Sequence, residues 1–400
     1  MGKVKDQKVR DQYEAYPYPE RDPEDEKSRL ITGSPSLPQE IDHFLFGGAR
    51  DWKQPLRILV AGGGTGDGLI QLTALLTQYG KPYEATYIDL STASRKIAEA
   101  RAKVRGLECI RFVTGSLLDA PDYGPFDYID CCGVLHHLPD PDAGFAALRE
   151  AVAPDGGMGF MVYAPYGRSG VYPLQEAFGA LFANLSPQEK LKAAQRVFDK
   201  LPESHPFKAN ANLNDHKNGE AGFYDLLLHS QDRAYDVTTL LETLTRAGWH
   251  FSGFTVPALY DLRQWAERPD GMSEALAMAT AERLLGTIRT HTGYAAAREV
   301  TPPSGKNRAL VPHLKGVQVA ALAQAVSKGQ VVKLGSDGLG GGIDLPATSA
   351  RLLAAIDGRR SLTEIAAIAG LDPISFGATW TKIEAQLAPW GMLLYSSVLR

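Results

Sequence analysis

The 400-residue chain is 44% hydrophobic, 22% charged and 9% aromatic, enough for two or three domains with sizeable cores and unlike a disordered or fibrous protein. A formal net charge of −4 at pH 7 and a pI near 6.2 give no reason to expect nucleic acid or an anionic membrane as partner. The three cysteines (Cys109, Cys131, Cys132) make neither a disulfide framework nor a metal-ligand spacing, no apolar run is long enough to span a membrane, and the first residues lack an apolar signal segment; the expectation is a cytoplasmic protein without a bound metal.

Residues 1–55 read as an N-terminal arm. Tyr13, Tyr16 and Tyr18 are interleaved with Pro17 and Pro19, which predicts a stiff extended segment with aromatic faces. It suits either a strap packed on the domain or a lid over a ligand, because tyrosine rings close a pocket and still offer a hydroxyl.

The stretch from Arg57 to Gly68 reads R-I-L-V-A-G-G-G-T-G-D-G. An apolar run breaks into a glycine-rich turn and resumes with helical spacing, which predicts a buried strand, a tight turn and a helix N-terminus. Gly62, Gly64 and Gly66 are spaced G-x-G-x-G, not the G-x-G-x-x-G of a dinucleotide site. Glycine there permits positive φ and close approach of a ligand to the backbone.

A second strand over 83–89 ends in Asp89, followed by Leu90 and a helix over 92–104. Asp89 lies 27 residues after Gly62, at the carboxyl edge of the neighbouring strand and within reach of a ribose diol. A third strand over 107–113 leads into Thr114-Gly115-Ser116-Leu117. A fourth over 126–132 leads into Gly133-Val134-Leu135-His136-His137-Leu138. Cys131 and Cys132 fall in this apparent buried strand and suit packing as small hydrophobes. A helix over 141–152, a turn at 154–157 and a fifth strand over 158–163 complete a doubly wound α/β pattern with a parallel sheet.

Residues 166–300 continue with a polar aromatic loop, helical patterns over 173–185 and 187–201, a long polar stretch over 202–222, a helix over 237–247 and a strand near 249–256. Tyr224, His229 and Tyr235 suit polar recognition there, although each also fits a purely structural role. Residues 301–342 carry the Pro- and Gly-rich signals of a linker. Residues 343–400 read as three short helices (347–356, 361–369, 373–387) and a strand at 391–395, similar to a small winged-helix unit. That unit holds five basic and five acidic residues, so a docking or dimerising role is preferred over DNA binding.

The order of these pieces over 56–165 resembles the class I S-adenosylmethionine-dependent methyltransferases. Ile58 to Gly66 looks like their glycine motif, Asp89 like the ribose-binding acid, Ser116 and Leu117 like the adenine contacts, and 127–138 with its Val-Leu-His-His-Leu core like the fourth motif. The resemblance implies S-adenosyl-L-methionine as cofactor, contacted by Tyr18, Gly62, Gly64, Gly66, Asp89, Leu90, Ser116, Leu117, Gly133 and Val134. Two departures stand out: Val60 replaces the family's acid that helps hold the methionine ammonium, a part that Asp67 or the arm can take over, and Ser116 replaces a frequent Asp. The 12–19 stretch, Q-Y-E-A-Y-P-Y-P, is similar to a narrower bacterial group, some of whose members modify protein side chains, lysine included. On this resemblance the chain transfers a methyl group to N or O of a protein side chain or small metabolite, with Tyr16, His136, His137 and Tyr224 as candidates beside the reacting atoms and Tyr16 and Tyr18 near the sulfonium. The alternative is a non-catalytic cofactor-binding regulator.

Overall fold

The computed structural model describes residues 2–400, with side chains from Val9 onward. Seven strands form one sheet: β1 (Leu56–Ala61), β2 (Tyr83–Asp89), β3 (Ile110–Thr114), β4 (Phe126–Cys132), β5 (Val152–Tyr163), β6 (His250–Phe254) and β7 (Thr290–Ala296), in the order β3-β2-β1-β4-β5-β7-β6. The first five are parallel, and β7 runs antiparallel to both β5 and β6. Parallel strands need crossover helices, which bury both faces of the sheet. Ile58, Leu59, Val60 and Ala61 are accordingly all buried, with one core on each side of the sheet. The chain order reverses between β1 and β4, which opens a crevice at the carboxyl ends of those strands.

β7 is invisible in the sequence pattern because its inward polar groups are satisfied by tertiary partners. His291 is fully buried between the Tyr260 hydroxyl (2.9 Å) and the Glu282 carboxylate (3.2 Å). Pro154 to Gly157, expected as a turn before the fifth strand, is instead a bulge within β5, where the register against β4 shifts between Phe126 and Tyr128.

The arm also differs from expectation. Gly2–Ala15 is a helix, and it ends there because Pro17 disfavours helical backbone at the residue before it. Tyr13 therefore projects from a helical last turn, the segment from Tyr16 to Pro19 is a series of bends, and a helix at Pro38–Phe46 follows further along the arm. Within 166–300, the helices Val171–Leu181, Pro187–Phe198 and Gly219–Leu228 build a separate core around Phe178, Leu191, Phe207 and Leu227. The expected polar stretch thus contains helix as well as loop.

Residues 301–342, expected as a linker, instead carry β8 (Pro312–Leu314), a helix (Val319–Ser327) and the hairpin β9 (Val332–Ser336) and β10 (Leu339–Ile343). Of the Gly- and Asp-rich stretch at 335–338, Gly335 and Ser336 end β9 and Asp337-Gly338 is the two-residue turn of that hairpin. The helices Ala350–Ala354, Leu362–Ala369 and Pro373–Leu387 share one core with these elements. Ser361 and Glu364 form a reciprocal capping box at the second of them. The wing expected after the third helix is a single strand, β11 (Leu393–Tyr395), paired back to β8. The unit is clamped to the N-terminal segment through Asp42 of the helix Pro38–Phe46, whose Oδ2 accepts hydrogen bonds from the Ser396 hydroxyl (2.8 Å), the Ser397 amide (2.8 Å) and the Trp52 indole (3.0 Å). Among the described residues no helix is long and apolar enough to cross a membrane.

Candidate functional site

A cavity of about 500 Å³ lies at the carboxyl edge of β1, β2 and β4, closed from above by the arm and by the helical unit. Its floor is the glycine turn. Gly62 has φ of 67°, and a Cβ added there would sit 2.6 Å from both methyls of Val134. At Gly63 an added Cβ would meet the Tyr87 ring at 2.3 Å. The turn is therefore packed on one side and bare of side chains on the cavity side. The Tyr87 hydroxyl donates to the Gly64 carbonyl and fixes the loop.

Asp89 sits against this turn. Its Oδ2 accepts from the Gly64 amide and its Oδ1 from the Ser91 amide, both at 2.8 Å. Burial raises its carboxyl pKa, and these two amides offset part of that shift. Each carboxylate oxygen has used one acceptor position and keeps another, a pair of vacancies that suits vicinal hydroxyls. Just past the neighbouring β3 the Ser116 hydroxyl accepts from the Leu118 amide (3.2 Å) as a local cap.

Tyr18, Gly62, Gly64, Asp89, Leu90, Ser116, Leu117, Gly133, Val134 and His137, all expected at the site, line this cavity. Four expected residues do not. Gly66 opens the Asp67–Gln78 helix with φ of 101°, and its missing Cβ makes room for Ala98 of the Thr92–Val104 helix. Tyr16 and Tyr224 stack on each other (centroids 5.1 Å apart) and tie the arm to the helical unit. His136 is 1% exposed and packs against Tyr163, with ring centroids 4.0 Å apart. Burial, then His137 and Arg168, drive its pKa well below the ordinary histidine range, so it is a neutral core residue.

Asp67 does not supply the missing acid at Val60. Arg21 grips it with two hydrogen bonds (2.9 and 2.6 Å) and Arg101 adds a third (2.7 Å). Burial alone would raise its pKa, but these partners outweigh burial and hold it low. Asp67 is an anchor for the arm.

The far side of the cavity joins Tyr13, His137 and His229, which the sequence had singled out, to Tyr163, Arg168 and Asp225, which it had not. The Tyr13 hydroxyl donates to Asp225 Oδ1 (3.0 Å) and lies 3.3 Å from His229 Nε2; the Tyr163 hydroxyl reaches Asp225 Oδ2 (3.4 Å). Burial raises the Asp225 carboxyl and lowers the His229 imidazole. His137 Nδ1 lies 2.8 Å from the Gln231 carbonyl. A carbonyl only accepts, so in the neutral ring this partner assigns the proton to Nδ1 and Nε2 carries the lone pair. Arg168, itself buried, stacks over Tyr163 at 3.5 Å and pairs with Asp232 at 3.2 Å. The available signal for Asp225 was a lone acid inside the apolar run Phe-Tyr-Asp-Leu-Leu-Leu, since an acid is rarely buried without a partner or a task.

His137, Asp225 and His229 bring ligand-type atoms within 4.8 Å of one another. The two imidazoles, however, are stacked 3.7 Å apart at 22°. Their in-plane lone pairs run side by side instead of converging on one ion, so the cluster is a hydrogen-bonding one.

Residues 59–158 match the family described as a methyltransferase domain. An uncharacterised protein of Synechococcus sp. is 31% identical over 272 residues, which are 66% of this chain and 62% of that protein. The chain thus spans less than two thirds of the length of this curated relative. PKMT2 from Rickettsia typhi, solved in complex with AdoHcy, superposes with a TM-score of 0.57 at 13% identity, over 92% of this chain and 77% of that one. A second PKMT2 structure gives a TM-score of 0.58 at 15% identity, with the same coverage. At such identities the likeness is one of fold, and it extends beyond the sheet to the helical and C-terminal units. The strand order and the glycine turn agree with the family match over 59–158 and with S-adenosylmethionine as cofactor. The side-chain-free floor at Gly62 to Gly64, the open acceptor positions on Asp89 and the buried carboxylate of Asp130 fit that cofactor.

Proposed function

We propose that the chain is an S-adenosylmethionine-dependent methyltransferase acting on nitrogen or oxygen of a protein side chain or a small metabolite. The observation that carries this reading is the continuity of one cavity from Asp89 and the glycine turn to His137, Tyr163 and Asp225. Cofactor-type and acceptor-type groups therefore face the same space.

When bound, the cofactor supplies an electrophilic methyl group on a sulfonium. The chain's own part is then alignment, since positioning of two reactants is worth roughly 7–11 kcal/mol. Asp89 and the glycine turn hold one end of the cavity. At the other end, the Nε2 lone pair of His137 can take the proton that an N–H or O–H acceptor must lose. Asp225, braced by Tyr13 and Tyr163, stands beside that imidazole as a further polar group facing the acceptor. Tyr18 offers a ring face, worth roughly 0.5–2 kcal/mol to a cation in contact with it.

The test uses purified protein, labelled S-adenosylmethionine, and candidate proteins and metabolites as acceptors. Label is expected to appear on an acceptor, and His137→Asn is expected to lose transfer while keeping affinity for S-adenosylhomocysteine. Cofactor binding without transfer to any acceptor would support a non-catalytic regulator instead.

A further inference from the structure

A buried acid lies in the crevice between the two strands where the chain order reverses. Asp130, on β4, is 2% exposed and lines the crevice between β1 and β4. Its Oδ2 accepts from the Ser34 hydroxyl (2.7 Å) and from the Ser36 hydroxyl. Among the described residues no Lys, Arg or His is paired with it. Burying a carboxylate without a cation is costly, and burial raises the Asp130 pKa despite its two hydroxyl donors and the Cys132 amide. Gly68 belongs to this arrangement, because a Cβ there would sit 2.3 Å from Asp130 Oδ2. The first turn of the Asp67–Gln78 helix is thereby packed directly over the carboxylate.

Of the other acids that line the cavity, Asp215 sits on the helical unit, away from the β1–β4 crevice, and three are committed elsewhere. Asp67 is held by Arg21 and Arg101, Asp89 faces the glycine turn, and Asp225 is bonded by two tyrosines. Val60, the β1 residue in register with Asp130, is apolar. Residues paired in a parallel sheet point to the same face, about 4.8 Å apart, so Asp130 presents its acid one strand away from an apolar position. A ligand built of adenosine, sulfonium and an α-amino acid end brings one ammonium group to this crevice.

We propose that Asp130, held by Ser34 and Ser36, is the carboxylate that receives the α-ammonium of the cofactor. This assignment rests on the methyltransferase reading. Ser34 and Ser36 are positioning residues that orient the acid, and Gly68 is the space it needs. The acid that selects the amino-acid end of the ligand thus comes from β4.

The experiment is calorimetric titration of full-length wild type and Asp130→Asn with two ligands: S-adenosylhomocysteine and its analogue lacking only the α-amino group. Wild type is expected to prefer the amino ligand by about ten- to hundred-fold, the scale of a hydrogen bond to a charged group. Asp130→Asn is expected to lose that preference while keeping its affinity for the analogue. Retained preference in the variant, or equal loss of both ligands, overturns the assignment. If the variant does not fold, Ser34→Ala, which keeps the acid but frees it, is expected to narrow the preference, and an unchanged preference overturns the assignment. Wild type binding neither ligand overturns the functional reading and this assignment with it; wild type binding the amino ligand with an indifferent variant overturns this assignment alone.

Discussion

Replacing Arg101 with methionine tests how the arm is held over the cavity. The guanidinium is fully buried and makes three kinds of contact: Glu26 through Nε (2.8 Å), Asp67 through Nη1 (2.7 Å) and the Thr65 carbonyl (2.8 Å). It therefore joins the Thr92–Val104 helix, the glycine turn and the arm at one point. Methionine keeps most of the apolar stem but leaves two acids short of a partner. Removing one member of a buried ion pair costs about 3–5 kcal/mol. Here Glu26 retains Arg105, and Asp67 retains Arg21, so the expected loss lies near the lower end, about 3 kcal/mol. Urea unfolding should report this as a lower midpoint. Because Arg21, Ile31 and Ser34 of the same segment line the cavity, affinity for S-adenosylhomocysteine should fall too. Adding Glu26→Leu removes the other stranded charge and should recover part of the stability. A loss below about 1 kcal/mol with unchanged ligand affinity would refute the idea that this network fixes the arm.

Three further outcomes follow from the same geometry. Asp89→Ala should weaken cofactor binding by at least about 100-fold, since hydrogen bonds to a charged group contribute roughly 1.5–3 kcal/mol each; unchanged affinity by calorimetry removes Asp89 from the site. Gly62→Ala forces a side chain into positive φ, at about 1–2 kcal/mol, and pushes Val134 into the cavity, so both thermal stability and affinity should drop. Adding Val134→Ala should restore affinity more than stability, and no restoration would contradict the clash. His43 Nδ1 accepts the Tyr395 amide (3.0 Å), and burial lowers the imidazole pKa to about 4. An unfolded histidine titrates near 6.5, so this contribution is present above pH 6.5 and is lost as the pH falls towards 4, up to about 3 kcal/mol. His43→Gln should flatten the stability profile in that window, and parallel profiles would show that His43 is not the group responsible.

Much of the sheet was legible because its strands are buried on both faces. Ile58 to Ala61 and Tyr128 to Cys132 are continuous apolar or nearly apolar runs, and the glycines that follow leave few alternatives to a tight turn. Asp89 was legible for the same reason, as a strand-end acid at a fixed distance from that turn. What was hidden depends on contacts between distant segments. His291 and Thr290 give β7 no alternating pattern, and only Glu282 and Tyr260 make it a buried strand. Tyr13 and Asp225, 212 residues apart, meet through one hydrogen bond that no local spacing announces. Tyr16 and Tyr224 looked like site residues because tyrosines close pockets; their mutual stacking turned both away from the cavity. The glycines and Asp337 at 335–338 signalled a break in regular structure, and the same residues serve a hairpin turn as well as a linker.

The most direct test of the whole account is calorimetric titration of the purified protein with S-adenosylmethionine, S-adenosylhomocysteine and NADH. Micromolar binding of the two sulfur ligands with no binding of NADH is the predicted result. Failure of both sulfur ligands to bind a folded protein, or preferential binding of NADH, would contradict it.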